Sequence, residues 1–143
     1  MTVTFAELGL AETLLSSLKA EGYETPTPIQ AATIPLLLQG RDVLGIAQTG
    51  TGKTAAFALP ILHRLASTKT RYVPKNPRAL ILTPTRELAV QISQGFATYG
   101  QFIRFKRALV FGGVGQFPQV KSLANGTDVL IATPGRRLDL MTQ

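Results

Sequence analysis

Four short apolar runs, "DVLGIA" (42–47), "RALILT" (78–83), "RALVFG" (107–112) and "DVLIAT" (128–133), are each the length of a buried strand, and helix-length segments separate them. Unbroken apolar runs suit strands covered on both faces, and strand–helix alternation leads to a parallel sheet with helices on both faces. The intervening segments carry helical patterns of their own. Phe57, Ile61 and Leu65 recur every four positions, as do Leu88, Ile92 and Phe96, so each segment presents one apolar stripe. Pro60 removes the hydrogen bond to Ala56 and predicts a bend within its helix. Ahead of the sheet, "AETLLSSLKAEG" reads as a helix ended by Gly22, and "TPIQAATIPLLLQG" as a helix capped by Thr27, opened by Pro28 and ended by Gly40. The expectation is a single α/β domain over residues 1–143, with N-terminal helices in 1–40 and the α/β core in 41–143.

Composition narrows the partners. The 143 residues include no cysteine, which excludes a disulfide scaffold, a thiolate metal site and a cysteine nucleophile, and fits a reducing, cytoplasmic compartment. No run of 18 apolar residues occurs and "MTVTFAELGL" lacks the basic start of a signal peptide, so no membrane partner is expected. The net charge of +7 is unevenly distributed. Residues 1–42 hold two basic side chains against five acidic ones, a net of −3, whereas residues 43–143 hold thirteen against three, a net of +10. That second stretch suits a polyanion, although a basic face that merely keeps the chain soluble would look the same.

"AQTGTGKT" (47–54) joins the first apolar run to a helical segment. Gly50 and Gly52 permit backbone turns that point successive N–H groups at phosphate oxygens. Lys53 brings a compact positive charge to the outer phosphates, the Thr54 hydroxyl suits Mg²⁺, and the helix start adds its positive dipole end. Ala47 stands where the general phosphate-loop pattern has glycine. Two further junctions share a second pattern: "TPTR" (83–86) and "TPGR" (133–136) each follow an apolar strand, with threonine suited to a helix N-cap, proline to the first turn and arginine three places on. In a parallel sheet such junctions share the carboxyl edge, where ligands bind, and a helix start with an arginine fork suits phosphate. Either junction alone reads first as a plain helix cap; the pair, with a phosphate loop on the same sheet, points to phosphate instead. "FGGVG" (111–115) offers glycines where a backbone approaches a ligand closely, or an ordinary turn.

Taken together, "GYETPTPIQ" (22–30), "AQTGTGKT" (47–54), "PTRELA" (84–89), "GG" (112–113) and "TPGR" (133–136), in this order, resemble the N-terminal RecA-like domain of a DEAD-box ATP-dependent RNA helicase of bacterial type. The resemblance implies a RecA-like P-loop fold, ATP or ADP with Mg²⁺ as cofactors, and RNA as partner, remodelled by local strand separation. It makes Lys53 and Thr54 catalytic, with Thr54 meeting Mg²⁺ through the nucleotide. Gln48, Thr49, Gly50, Thr51 and Gly52 complete the nucleotide loop. "GYETPTPIQ" resembles the family's Q motif, in which Gln30 reads the adenine edge. Phe5, 17 residues before Gly22, stacks on the base, with Tyr23 and Thr25 beside it. An amide does match adenine's donor and acceptor pair, and an aromatic face suits a purine; outside that pattern, Phe5 reads as a helix anchor and Gln30 as a solvated helix residue. The resemblance assigns RNA contacts to Pro84, Thr85, Arg86, Gly113, Thr133, Pro134, Gly135 and Arg136. Gly115 and Phe117 stand where the family's loop is more polar, and His63, the only histidine, reads as structural.

Hydrolysis asks for acidic side chains at the carboxyl edge of a neighbouring strand. After Thr54 the chain has only Glu87, Asp128 and Asp139, respectively in a helix start, at a strand's opposite edge and in the final helix. The family's "DEAD" segment and second RecA-like domain would lie past Gln143. The expectation is a truncated, monomeric domain that binds nucleotide without turning it over. A non-catalytic, nucleotide-dependent nucleic-acid-binding module and a DNA helicase of the same superfamily remain alternatives; the latter should lack "PTPIQ".

Overall fold

The computed structural model describes residues 3–45, 52–67, 78–111 and 127–133. Contacts divide the chain into two compact units, one formed by Met1–Lys69 with Gly95–Arg104 and the other by Thr70–Gln94 with Phe105–Gln143.

The first unit is helical. A short 3-10 helix, Phe5–Leu8, precedes α1 (Glu12–Ala20), α2 (Pro28–Leu38) and α3 (Lys53–Ser67). The expected punctuation holds. α1 ends as Gly22 takes φ 78° while Tyr23 N–H bonds the Leu18 carbonyl at 2.8 Å and Gly22 N–H the Lys19 carbonyl at 3.0 Å. α2 repeats the arrangement with Gly40 at φ 83°, Arg41 N–H on Leu36 and Gly40 N–H on Leu37. Both are left-handed glycine caps that satisfy the last carbonyls of a helix. At the start of α2, Thr27 and Gln30 cap each other, with Pro28 in the first turn. α3 runs unbroken through Pro60. Leu14, Leu18, Ile34, Leu59, Leu62 and Phe96 are fully buried here, and the Phe57 and Phe96 rings meet at 6.4 Å between centroids. No described helix is long and apolar enough to cross a membrane.

The second unit holds a parallel three-stranded sheet of β1 (Ala79–Leu82), β2 (Arg107–Phe111) and β3 (Val129–Thr133), in the order β1-β3-β2. α4 (Arg86–Tyr99) connects β1 to β2 in sequence; through Gln94 it belongs to this unit and from Gly95 to the first. The central strand β3 is buried along its whole length, as its unbroken apolar sequence requires. β1 lies at an edge and alternates, with Leu80 and Leu82 exposed. Register places Ala79, Val129 and Arg107 level at one end and Phe111 level with Thr133 at the other. The α/β class and the parallel sheet are as expected.

Two expectations need correction. Asp42–Gly45, the first four residues of the expected strand "DVLGIA", form no strand; among the described residues the sheet is made of β1, β2 and β3. The last two, Ile46 and Ala47, lie outside the described residues. Thr83 does not cap α4. Its N–H continues the sheet ladder to the Ala132 carbonyl at 3.0 Å, and the cap falls to Thr85, whose Oγ1 accepts from Leu88 N–H at 3.2 Å.

Candidate functional site

In the first unit the end of the phosphate-loop segment meets the start of α2. Gly52 takes φ 85°, and a Cβ there would collide with the Gln30 amide nitrogen, so both backbone and space require glycine. The Gly52 carbonyl accepts from Ala56 N–H at 3.1 Å and from Gln30 Nε2 at 3.1 Å. Gln30 is 6% exposed, and its Oε1 accepts from Thr27 N–H at 2.9 Å. One amide therefore clasps its own helix start and the phosphate loop's last glycine. Lys53, the first residue of α3, is exposed and Thr54 is half-buried beside it. The fit to a phosphate is physical: the first N–H groups of α3 have no intrahelical partner, a cation stands among them, and a hydroxyl follows. Gln48, Thr49, Gly50 and Thr51 lie outside the described residues.

A cavity of about 420 Å³ lies between the 3-10 helix and the end of α1, lined by Phe5, Tyr23, Lys19 and Glu24 among others. It brings Phe5 and Tyr23 together; Thr25, Gln30 and Lys53 are not among its lining residues. Phe5 is only 4% exposed, and its N–H donates to the Glu24 carbonyl at 3.2 Å, so it anchors the 3-10 helix. Burial raises the Tyr99 phenol above its usual pKa, and nearby Tyr23 and Glu21 add to the effect. His63 Nδ1 accepts the Ala11 N–H at 3.1 Å at the entry to α1, in keeping with its structural reading. The described residues contain no cluster of three His, Cys, Asp or Glu fit for a metal.

In the second unit, Thr83 follows β1 and Thr133 ends β3, on adjacent strands whose preceding residues Leu82 and Ala132 are paired. The two Thr-Pro junctions thus begin level at the carboxyl edge of one sheet, as the parallel arrangement implies. Pro84, Thr85 and Arg86 are exposed there. The Arg86 guanidinium lies 5.3 Å from the centroid of the Phe111 ring, a cation–π contact that limits where the arginine can swing. The sequence offered no sign of Phe111 in this role, since only strand register sets β2 beside β3. Gly113, Pro134, Gly135 and Arg136 lie outside the described residues.

Asp128 and Glu87 lie where the sequence places them. Asp128 sits just before β3, at the amino edge, where Oδ2 accepts from Lys106 N–H at 2.9 Å and Oδ1 lies 3.7 Å from the Arg78 guanidinium. Glu87 is exposed in the first turn of α4, and Asp139 lies outside the described residues.

A parallel sheet with helices defines an α/β protein. The chain belongs to the DEAD/DEAH box helicase family, whose family model matches residues 27–143. It is 48% identical over 139 residues to "ATP-dependent rRNA helicase rrp3" of Sclerotinia sclerotiorum, covering 97% of this chain and 28% of that protein. It is 49% identical over 137 residues to "ATP-dependent RNA helicase DeaD" of Buchnera aphidicola, covering 95% and 22%. With "ATP-dependent RNA helicase RhlB" of Actinobacillus succinogenes the identity is 47% over 139 residues, covering 97% and 34%. The chain spans about a fifth to a third of the length of these relatives.

Proposed function

We propose that these 143 residues form the adenine-nucleotide-binding part and one wall of the RNA groove of an ATP-dependent RNA helicase, acting in the cytoplasm together with a second RecA-like domain. The observation that carries the reading is the clasp of Gln30 on Gly52 at the first turn of α3. It sets the segment assigned to adenine directly beside the loop assigned to phosphate, where each can hold its own part of one nucleotide. Lys53 and the α3 N–H groups would neutralise phosphate charge, and Thr54 Oγ1 would ligate Mg²⁺. When bound, Mg²⁺ supplies charge neutralisation on the outer phosphates. Exposed Arg86, steadied by Phe111, would contact an RNA phosphate beside the free N–H groups of α4. Asp128, engaged with Lys106 and Arg78 at the amino edge, and exposed Glu87 supply no carboxylate suited to hold Mg²⁺ or orient water. In this reading the 143 residues by themselves bind nucleotide with hydrolysis near background.

Titration of labelled ADP and ATP, with phosphate release followed in parallel, tests this. Lys53→Ala should abolish phosphate-dependent binding, whereas Gln30→Ala should chiefly erode preference for adenine over guanine nucleotides. Equal losses for ATP and GTP from both changes would contradict the division of labour, and rapid RNA-stimulated phosphate release would contradict the non-hydrolytic reading.

A further inference from the structure

Gly95 stands inside α4 (Arg86–Tyr99), where glycine is the poorest helix former after proline. Helix formation gives no reason for it, but its surroundings do. A Cβ on Gly95 would fall 2.9 Å from Thr54 Cγ2, with Tyr99 Cε2 at an ordinary 3.8 Å; unstrained carbon contacts lie at about 3.5–4.0 Å. The obstacle is therefore the Thr54 methyl alone. Retreat of the helix is opposed next door, where fully buried Phe96 meets Phe57, one turn along α3 from Thr54.

Thr54 is β-branched, so its methyl and hydroxyl occupy two of three staggered positions on one carbon and turn together. With Cγ2 seated against Gly95, the direction of Oγ1 is set; a χ1 rotation that freed the methyl would carry the hydroxyl away. We propose that Gly95 is a positioning residue for Mg²⁺-nucleotide binding: its missing side chain selects the Thr54 rotamer from which Oγ1 ligates the metal. The proposal rests on the assignment of Thr54 as a Mg²⁺ ligand.

The test is a cycle of Gly95→Ala, Thr54→Ser and the double variant in the 143-residue chain, titrated with fluorescent ADP in Mg²⁺ and in excess EDTA. Gly95→Ala should reduce the Mg²⁺-dependent gain in affinity about tenfold, in line with other residues that orient metal ligands. Its affinity in EDTA and its thermal midpoint should stay close to wild type. In the Thr54→Ser background, which lacks Cγ2, adding Gly95→Ala should change nothing. Three-bond couplings of Thr54 in the nucleotide-free chain should report a new χ1 rotamer in Gly95→Ala. Equal loss with and without Mg²⁺, persistence of the loss in the serine background, or unchanged Thr54 couplings would each overturn the proposal. A wild-type chain with no Mg²⁺ gain would sink the phosphate-loop reading and this proposal with it, whereas a gain that survives Gly95→Ala would sink the proposal alone.

Discussion

Two threonines two positions apart, Thr83 and Thr85, have opposite effects on stability. The Thr83 hydroxyl is buried, in a residue 3% exposed, and makes no hydrogen bond. Thr85 Oγ1 caps α4 through Leu88 N–H. Thr83→Val, which keeps the shape and removes the unpaired hydroxyl, should be neutral or stabilising, by up to about 1 kcal/mol. Thr85→Ala should destabilise by about 1 kcal/mol; urea unfolding of the two variants checks both signs. In the sequence the threonine before Pro84 reads as the cap. What separates them is the Ala132 carbonyl, which claims the Thr83 N–H for the sheet. The clasp of Gln30 on Gly52 was not legible in the sequence, since that bond joins residues 22 apart.

At the scale of elements, position in the sheet decides what an apolar residue contributes. Ile131, in the centre of β3, is fully buried, whereas Leu82 at the edge is 65% exposed. Ile131→Ala should cost about 2–5 kcal/mol, and Leu82→Ala well under half of that; denaturant midpoints at equal slope distinguish them. The runs "ALIL" and "VLIAT" look alike in sequence, and only the order β1-β3-β2 says which is central. The end of α4 carries a pH dependence. The Tyr99 phenol has its pKa raised by burial, with Tyr23 and Glu21 adding to it, so the folded state holds its proton more tightly than the unfolded chain. That contribution is fully present below the unfolded pKa of about 10 and is lost as pH rises through the folded value. Thermal melts between neutral and strongly alkaline pH should fall more steeply for wild type than for Tyr99→Phe.

At the scale of the whole molecule, charge is partitioned along the chain. Thirteen of the fifteen basic side chains lie after residue 42, in the stretch that carries the Lys-Thr pair and both Thr-Pro junctions. Binding to single-stranded RNA should therefore weaken with salt, and each phosphate contact removed should lower the log–log slope by about 0.7. Neutralising Arg86 should shift that slope by one such contact and leave ADP affinity intact, whereas Phe111→Leu should weaken RNA binding without changing the slope. Fluorescence titrations across a salt series separate the two effects.

The sequence by itself determined the α/β class, the glycine-ended helices and the edge at which the Thr-Pro junctions begin. Each of these is local, fixed by backbone freedom, side-chain chemistry or the period of burial within a few residues. Tertiary structure decided which strand is central, that Thr85 rather than Thr83 caps α4, that Gln30 holds Gly52, that Phe111 steadies Arg86 and that Gly95 makes room for the Thr54 methyl. Every one of those outcomes depends on a partner distant in the chain, and the pattern of a single segment carries no record of the partner that packing will bring to it.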